Sequence, residues 1–281
     1  MFDRLSRSWG LVKASATVLR QDKELLLFPV ISLAALAVVV ACFALPVIGL
    51  GVLDGLRGAG GKSPAAYVVA FLFYFSQYFV IFFFNVALVG AAMIRLDGGN
   101  PTLGDGIRVA TSKMASIAGY ALIAATVGMV LRAIQERVGF VGKIIVGLLG
   151  IGWSVATYLV VPVLAARDVG PIEAVKESAT LLKETWGENV IGQVGLSAAF
   201  LFIFAGVAFC GAILVMAAMA TQSVFLIVAA AIIMVLAIGI TALVQSALAG
   251  IYAAALYRYA TTGEGTKDFD ADRMKLAFAP K

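Results

Sequence analysis

Few side chains in this sequence could carry chemistry, and their positions do not suit catalysis. The chain contains no histidine, which removes the commonest general base and the commonest metal ligand. Asp54, Arg95, Asp97, Arg132, Lys143, Arg167 and Arg258 all stand at the ends of long apolar runs, and none lies in the middle of one. An ionisable group at membrane depth is costly and therefore marks function; here no acid and no lysine is set there. That pattern argues against proton- or ion-coupled transport and supplies no nucleophile–base pair. An enzymatic role is not expected. No catalytic residue, metal ligand set or cofactor site is identified.

Three short motifs come close to known chemistry and fail. Val39-Val40-Ala41-Cys42 has the form of a lipoprotein processing box, but the 24 residues before the first apolar run and the 29 residues within it are too long for a cleaved leader. Cys42 and Cys210 therefore read as small, buried apolar residues inside spans. Asp268-Phe269-Asp270-Ala271-Asp272 opens like a calcium loop, but Arg273 and Ala279 stand where glycine and glutamate are needed. The glycines of Gly58–Gly61 follow no strand and lack the ending of a phosphate-binding loop. What remains is a set of uncharged polar residues within apolar runs: Gln77, Asn85, Thr126, Ser154, Thr157, Gln193, Ser197, Thr241, Gln245 and Ser246. Most fit interhelical hydrogen bonding, worth about 0.6 kcal/mol each. Asn85, Gln193 and Gln245 are the candidate site positions, because an amide facing lipid is expensive. They are expected to face protein or water.

The elements that must hold these residues follow from composition. Of 281 residues, 62% are apolar and 13% charged, against about 45–50% and 25% in soluble domains. Crossing about 30 Å of hydrocarbon takes about 20 apolar residues in a helix. Uncharged stretches at Leu25–Leu53, Ser63–Ile94, Met114–Leu131 and Ile144–Ala166 each suffice, and Asn189–Tyr257 must fold back, with its turn at Thr221-Gln222-Ser223. The expectation is one all-α, polytopic membrane domain over 1–281, with six transmembrane helices at about 25–53, 63–94, 114–131, 144–166, 190–218 and 223–256. A β-barrel would show short segments of alternating polarity instead. Pro46 and Pro162 are expected to bend their spans.

Lysine and arginine are distributed unevenly. Sixteen of the 21 lie in the N-terminal segment, the second and fourth connections and the tail 258–281. By the positive-inside rule both termini are expected in the cytoplasm. The net charge of +5 is then mainly a topology signal, with anionic lipid headgroups as its partners and no need for nucleic acid.

The basic connections carry amphipathic patterns. Phe2, Leu5, Trp9, Val12, Ala16 and Leu19 form one stripe over 1–23; Leu103, Ile107 and Ala110 form a second; Ile172, Val175, Ala179 and Leu182 form a third over Pro171–Trp186. Such helices suit the headgroup plane. Residues 12–20 and 175–183 match at six of nine positions, and three spans end at Arg95, Arg167 and Arg258. The reading is a three-fold internal repeat, each unit an interfacial helix followed by a helical hairpin, related by an axis along the membrane normal.

Ser8-Trp9-Gly10-Leu11-Val12-Lys13-Ala14-Ser15 running into Glu24-Leu25-Leu26-Leu27-Phe28-Pro29 resembles the opening of an uncharacterised, domain-of-unknown-function family of bacterial and archaeal six-span membrane proteins. The stretch 158–189, with Gly170-Pro171-Ile172-Glu173-Ala174-Val175-Lys176, is similar to it too, and so is the tail. A more distant similarity is to the membrane domain attached to some glycerophosphodiester phosphodiesterases. The resemblance implies six spans and no chemistry. The function expected is a non-enzymatic scaffold, partner subunit or lipid-organising protein, with membrane lipids and a protein partner or second copy as associates. The alternative is a transporter or facilitator for a lipid or weakly charged substrate. A water-filled cavity at Asn85, Gln193 or Gln245 would favour the alternative.

Overall fold

The computed structural model describes residues 2–49, 64–186 and 191–263, and side chains at 10, 12–45, 67–183 and 200–263. The described residues form helices joined by short connections, without strands. In order they form α1 (Phe2–Gln21), a 3-10 turn (Lys23–Leu26), α2 (Leu27–Gly49), α3 (Pro64–Leu96), α4 (Leu103–Ser112), α5 (Met114–Arg137), α6 (Phe140–Ala156), α7 (Val160–Ala166), α8 (Pro171–Trp186), α9 (Ile191–Ala220) and α10 (Val224–Thr262). Among the described residues, six segments are long and apolar enough to cross a bilayer: Lys23–Leu45, Tyr67–Leu96, Met114–Arg137, Phe140–Ala166, Phe200–Ala220 and Val224–Thr262. The protein is a polytopic helical membrane bundle.

The chain's local signals explain where these helices start and stop. Thr102 and Asp105 form a reciprocal capping box at α4: Asp105 N–H donates to Thr102 Oγ1 (3.2 Å) and Thr102 N–H to Asp105 Oδ2 (3.0 Å). Those bonds hold the Asp105 carboxyl below its usual value. Between α9 and α10 the reversal comes at Thr221-Gln222, as the polar cluster implied, with Gln222 at φ +55°. The α10 helix ends on Gly263 at φ +71°, whose N–H reaches the Tyr259 carbonyl (2.9 Å).

Two spans differ from expectation. The third runs to Arg137 rather than 131. Arg132 does not end it, because its guanidinium donates to Tyr74 Oη (2.7 Å) and to Glu136 one turn on (3.2 Å), which keeps the charge partnered. The fourth is two helices, broken over Thr157–Leu159, with Pro162 in the first turn of α7. Pro46, by contrast, lies within the continuous α2. Asp54, the glycines of Gly58–Gly61 and the Asp268–Asp272 stretch lie outside the described residues, as does Gly187. Cys42 and Cys210, expected to be buried, are exposed on their helices, as thiols that behave as small apolar groups can be in lipid.

The core is set near one end of the bundle. The fully buried residues concentrate at 86–92 on α3, 159–164 on α7 and 247–257 on α10. These stretches are the final turns before Arg95, Arg167 and Arg258, so the three even-numbered spans meet beneath a basic face. The α3 helix packs against α2, α4, α5, α7 and α10. Toward the opposite face α9 and α10 pack mainly on each other. There Phe202, Phe209, Phe225, Val235 and Ile240 are exposed, as side chains bathed in lipid should be.

The three amphipathic helices sit in a cyclic order. Each packs on the hairpin before it: α4 on α3, α8 on α5, α6 and α7, and α1 on α9 and α10. Their buried stripes differ from those read in the sequence. On α8, Ala174, Ser178 and Leu182 face inward while Ile172 is exposed; on α1, Val12, Ser15 and Val18 are buried. A hydroxyl therefore occupies the centre of the α1 and α8 contacts, where the sequence pattern had placed only apolar residues, while α4 buries Gly106 and Ala110.

Candidate functional site

The break in the fourth span is the feature from which the site is built. Pro162 has no N–H to offer the carbonyl of Tyr158, four residues earlier, so the helix cannot continue through this point. The two groups freed on the near side are met by α8. Leu159 N–H donates to Ser178 Oγ (3.0 Å), and the Ser178 hydroxyl donates to the Ala156 carbonyl (2.7 Å). Ser178 is fully buried. An interfacial helix thus supplies the hydrogen bonds that a membrane-embedded helix break requires.

The break turns Tyr158 into a cleft of about 190 Å³ between α3, α7 and α10. Asn85 of α3 and Ser246 of α10 join it there, and the rest of the lining is apolar, from Val89 and Val161 to Ala249 and Gly250. At about 1.5 Å per residue, Asn85 stands about 15 Å from Arg95 and Ser246 about 18 Å from Arg258, near the middle of a hydrocarbon layer about 30 Å thick. Neither the Asn85 amide nor the Ser246 hydroxyl makes a hydrogen bond among the described residues. The cleft is partly open, and Asn85 and Ser246 are half-buried. Close helix contact shapes one wall: a Cβ on Gly250 would come within 2.5 Å of Leu88 Cδ2.

Of the expected positions, Asn85 lines the cleft. Gln245 is half-buried one residue from Ser246 and does not line it. Gln193 lies on α9, and its side chain is outside the described residues. Tyr158 and Ser178 were not singled out by polarity. Pro162 was the signal that could have found them, since a proline in a span implies freed backbone groups and a partner for them. The aromatic run of α3 packs on itself and on α5, with Tyr78 stacked on Phe82 and Phe82 tilted against Tyr120 of α5 (4.5 Å).

A second cavity, of about 260 Å³, lies below the first at the basic face, bounded by Met93, Asp97, Ala166, Tyr257, Arg258 and Thr261. One ion pair belongs to its rim, and two further pairs stand on the same face outside its lining. Arg258 pairs with Asp97, Arg167 with Glu177 (2.6 Å) and Lys113 with Asp168 (3.1 Å). Arg95 donates to the Gly99 carbonyl and to Gln21 at the end of α1 (both 3.2 Å). Nearby, Asp22 is buried with Oδ2 unpartnered, and that burial raises its carboxyl above the usual range.

A family model described as a family of unknown function (DUF6159) matches residues 64–267. The chain belongs to that family. The matched region holds α3 to α10 and hence every residue that lines the cleft. No curated protein and no solved structure matches, so the family carries no assigned chemistry to this site. Among the described residues, no three His, Cys, Asp or Glu side chains gather as a metal site would need.

Proposed function

We propose that this family member is a non-enzymatic membrane protein that binds an amphiphile, with the mid-membrane cleft as its site. The observation that carries the reading is the Asn85–Tyr158–Ser246 lining. A cleft at this depth is filled by whatever the bilayer offers. A volume of about 190 Å³ holds about six waters, too little for a whole phospholipid but enough for one polar junction or a stretch of chain. Two hydrogen-bonding groups without internal partners favour an occupant with a polar group. The lack of lining charge favours a neutral one, such as the ester region of a glycerolipid. The apolar remainder suits the attached chains.

The same reading takes the basic face as cytoplasmic, with both termini there, following the 16 cations on that side. It also takes the chain as three repeats. Cyclic packing of α1, α4 and α8, with three arginine-ended spans at the centre, supports that view. The distant similarity to the membrane domain of some glycerophosphodiester phosphodiesterases is compatible with lipid contact and adds no residue to the site.

The test is purification in native lipid followed by mass spectrometry of bound species, comparing wild type with Asn85→Leu and Ser246→Ala. Lipid retained by wild type and depleted in both variants, with unchanged elution, supports the proposal. An equal lipid complement in all three, or a stoichiometric protein partner in place of lipid, overturns it.

A further inference from the structure

The two cavities share their walls. Each of the three central spans gives one residue to the cleft and the residue one turn on to the cavity at the basic face: Val89 and Met93 on α3, Pro162 and Ala166 on α7, Ala253 and Tyr257 on α10. A turn is about 6 Å, so a single layer of side chains separates them. The layer falls at a common level, five or six residues before each terminal arginine for the upper members and one or two for the lower. The openings thus lie in register on one seam between the same three helices.

Building on the amphiphile-binding reading, we infer that the seam is a route from mid-membrane to the basic face, closed by one side-chain layer and by the Asp97–Arg258 pair. The pair joins the loop after α3 to the end of α10 across the lower cavity. Among the described residues it is the one ion pair between the first and third hairpins at that rim. Asp97 is exposed on its side chain (67%) and Arg258 partly so (28%). Such a pair is weak enough to open on thermal motion and strong enough to bias the closed state. The lower cavity also carries hydroxyls at Tyr257 and Thr261, so a polar headgroup leaving hydrocarbon would meet hydrogen-bonding groups before reaching water. The function added is movement of an amphiphile's polar end between the bilayer interior and that face.

Proteoliposomes of phosphatidylethanolamine and phosphatidylglycerol carrying a nitrobenzoxadiazole-labelled phosphatidylethanolamine test this by dithionite quenching. Wild type should exchange label faster than protein-free vesicles. Asp97→Asn and Arg258→Gln should each speed exchange by about fivefold, the most that an exposed ion pair is worth. Ala166→Trp, which fills the lower cavity without touching the cleft, should return exchange to the protein-free rate while bound lipid still co-purifies. Elution and thermal unfolding confirm that each variant is folded. Lipid bound by wild type with no exchange in any form would sink the route and leave the binding reading intact. Unslowed exchange in folded Ala166→Trp would also sink it. Absence of both lipid and exchange in wild type would remove the two proposals together.

Discussion

Ser178 and Ser15 occupy the same place in matching segments, yet opposite consequences are expected when each hydroxyl is removed. Ser178→Ala strips a donor from the Ala156 carbonyl and an acceptor from Leu159 N–H, with Ser178 itself fully buried. Hydrogen bonds in membrane proteins average about 0.6 kcal/mol, so the two bonds alone give about 1 kcal/mol. Orphaning a buried backbone group costs about 1–3 kcal/mol, and relaxation of the break recovers part of that. The expected loss is about 2 kcal/mol, roughly thirtyfold in the folding equilibrium. Ser15 is equally buried, but its Oγ has no partner. Ser15→Ala removes an unsatisfied hydroxyl and should leave stability unchanged or raise it by about 1 kcal/mol. Reversible unfolding in mixed micelles, followed by tryptophan fluorescence, measures both. Equal destabilisation by the two substitutions, or a larger loss at Ser15, would refute the assignment of Ser178 as the partner of the broken span.

Other expectations follow from the same packing. In a Pro162→Ala background the helix can close across the break, so the added cost of Ser178→Ala should shrink by about 1 kcal/mol in a double-mutant cycle. Gly106→Ala would set a Cβ 2.6 Å from the Ala87 carbonyl oxygen, and unfolding should show a loss of about 1–3 kcal/mol from overpacking. Burial raises the Asp22 pKa from 3.8, so its contribution is fully present below pH 3.8 and is lost as pH rises through the native value. Asp22→Asn should therefore gain on wild type as pH rises across that window in a stability–pH series. Asp105 has the opposite sign: its lowered pKa gives stability above pH 3.8 that is lost as pH falls through the native value. A reporter enzyme fused after Lys281 should be active only in a cytoplasmic form; periplasmic activity would overturn the orientation.

Span number, the reversal at Thr221-Gln222 and the three amphipathic helices were legible because length, charge and punctuation report them directly. The faces of the helices were not. In water an apolar stripe marks the side that packs, but in lipid both sides are apolar, and periodicity loses its meaning. The buried segment 247–257 and the exposed stretch ending at Ile240 belong to one helix and have the same apolar character. Only small residues such as Ala254 and Gly250 hinted at close approach. Asn85 could be singled out because an amide at depth needs a reason; Ser178 could not, because a serine on an amphipathic surface helix needs none.

The asymmetry of the site traces to one residue. Five positions before the terminal arginine, the central spans carry Gly90, Pro162 and Ala253. Only the proline lacks an N–H, and only its span is broken. Eleven positions after the arginine, the packing helices carry Gly106 and Ser178. The residue eight before the arginine is Ala87 in the first case and Leu159 in the second. Gly106 leaves room for the Ala87 carbonyl of an unbroken helix, whereas Ser178 donates to and accepts from the broken one. Ser15 retains the hydroxyl on α1, which packs on the unbroken α9 and α10, and finds nothing to bond. One backbone donor, present or absent, thus decides whether a span closes against its neighbours or turns a tyrosine between them. Of the three arginine-ended spans, only the second carries a proline at that position, and it is at its break that Tyr158 joins Asn85 and Ser246.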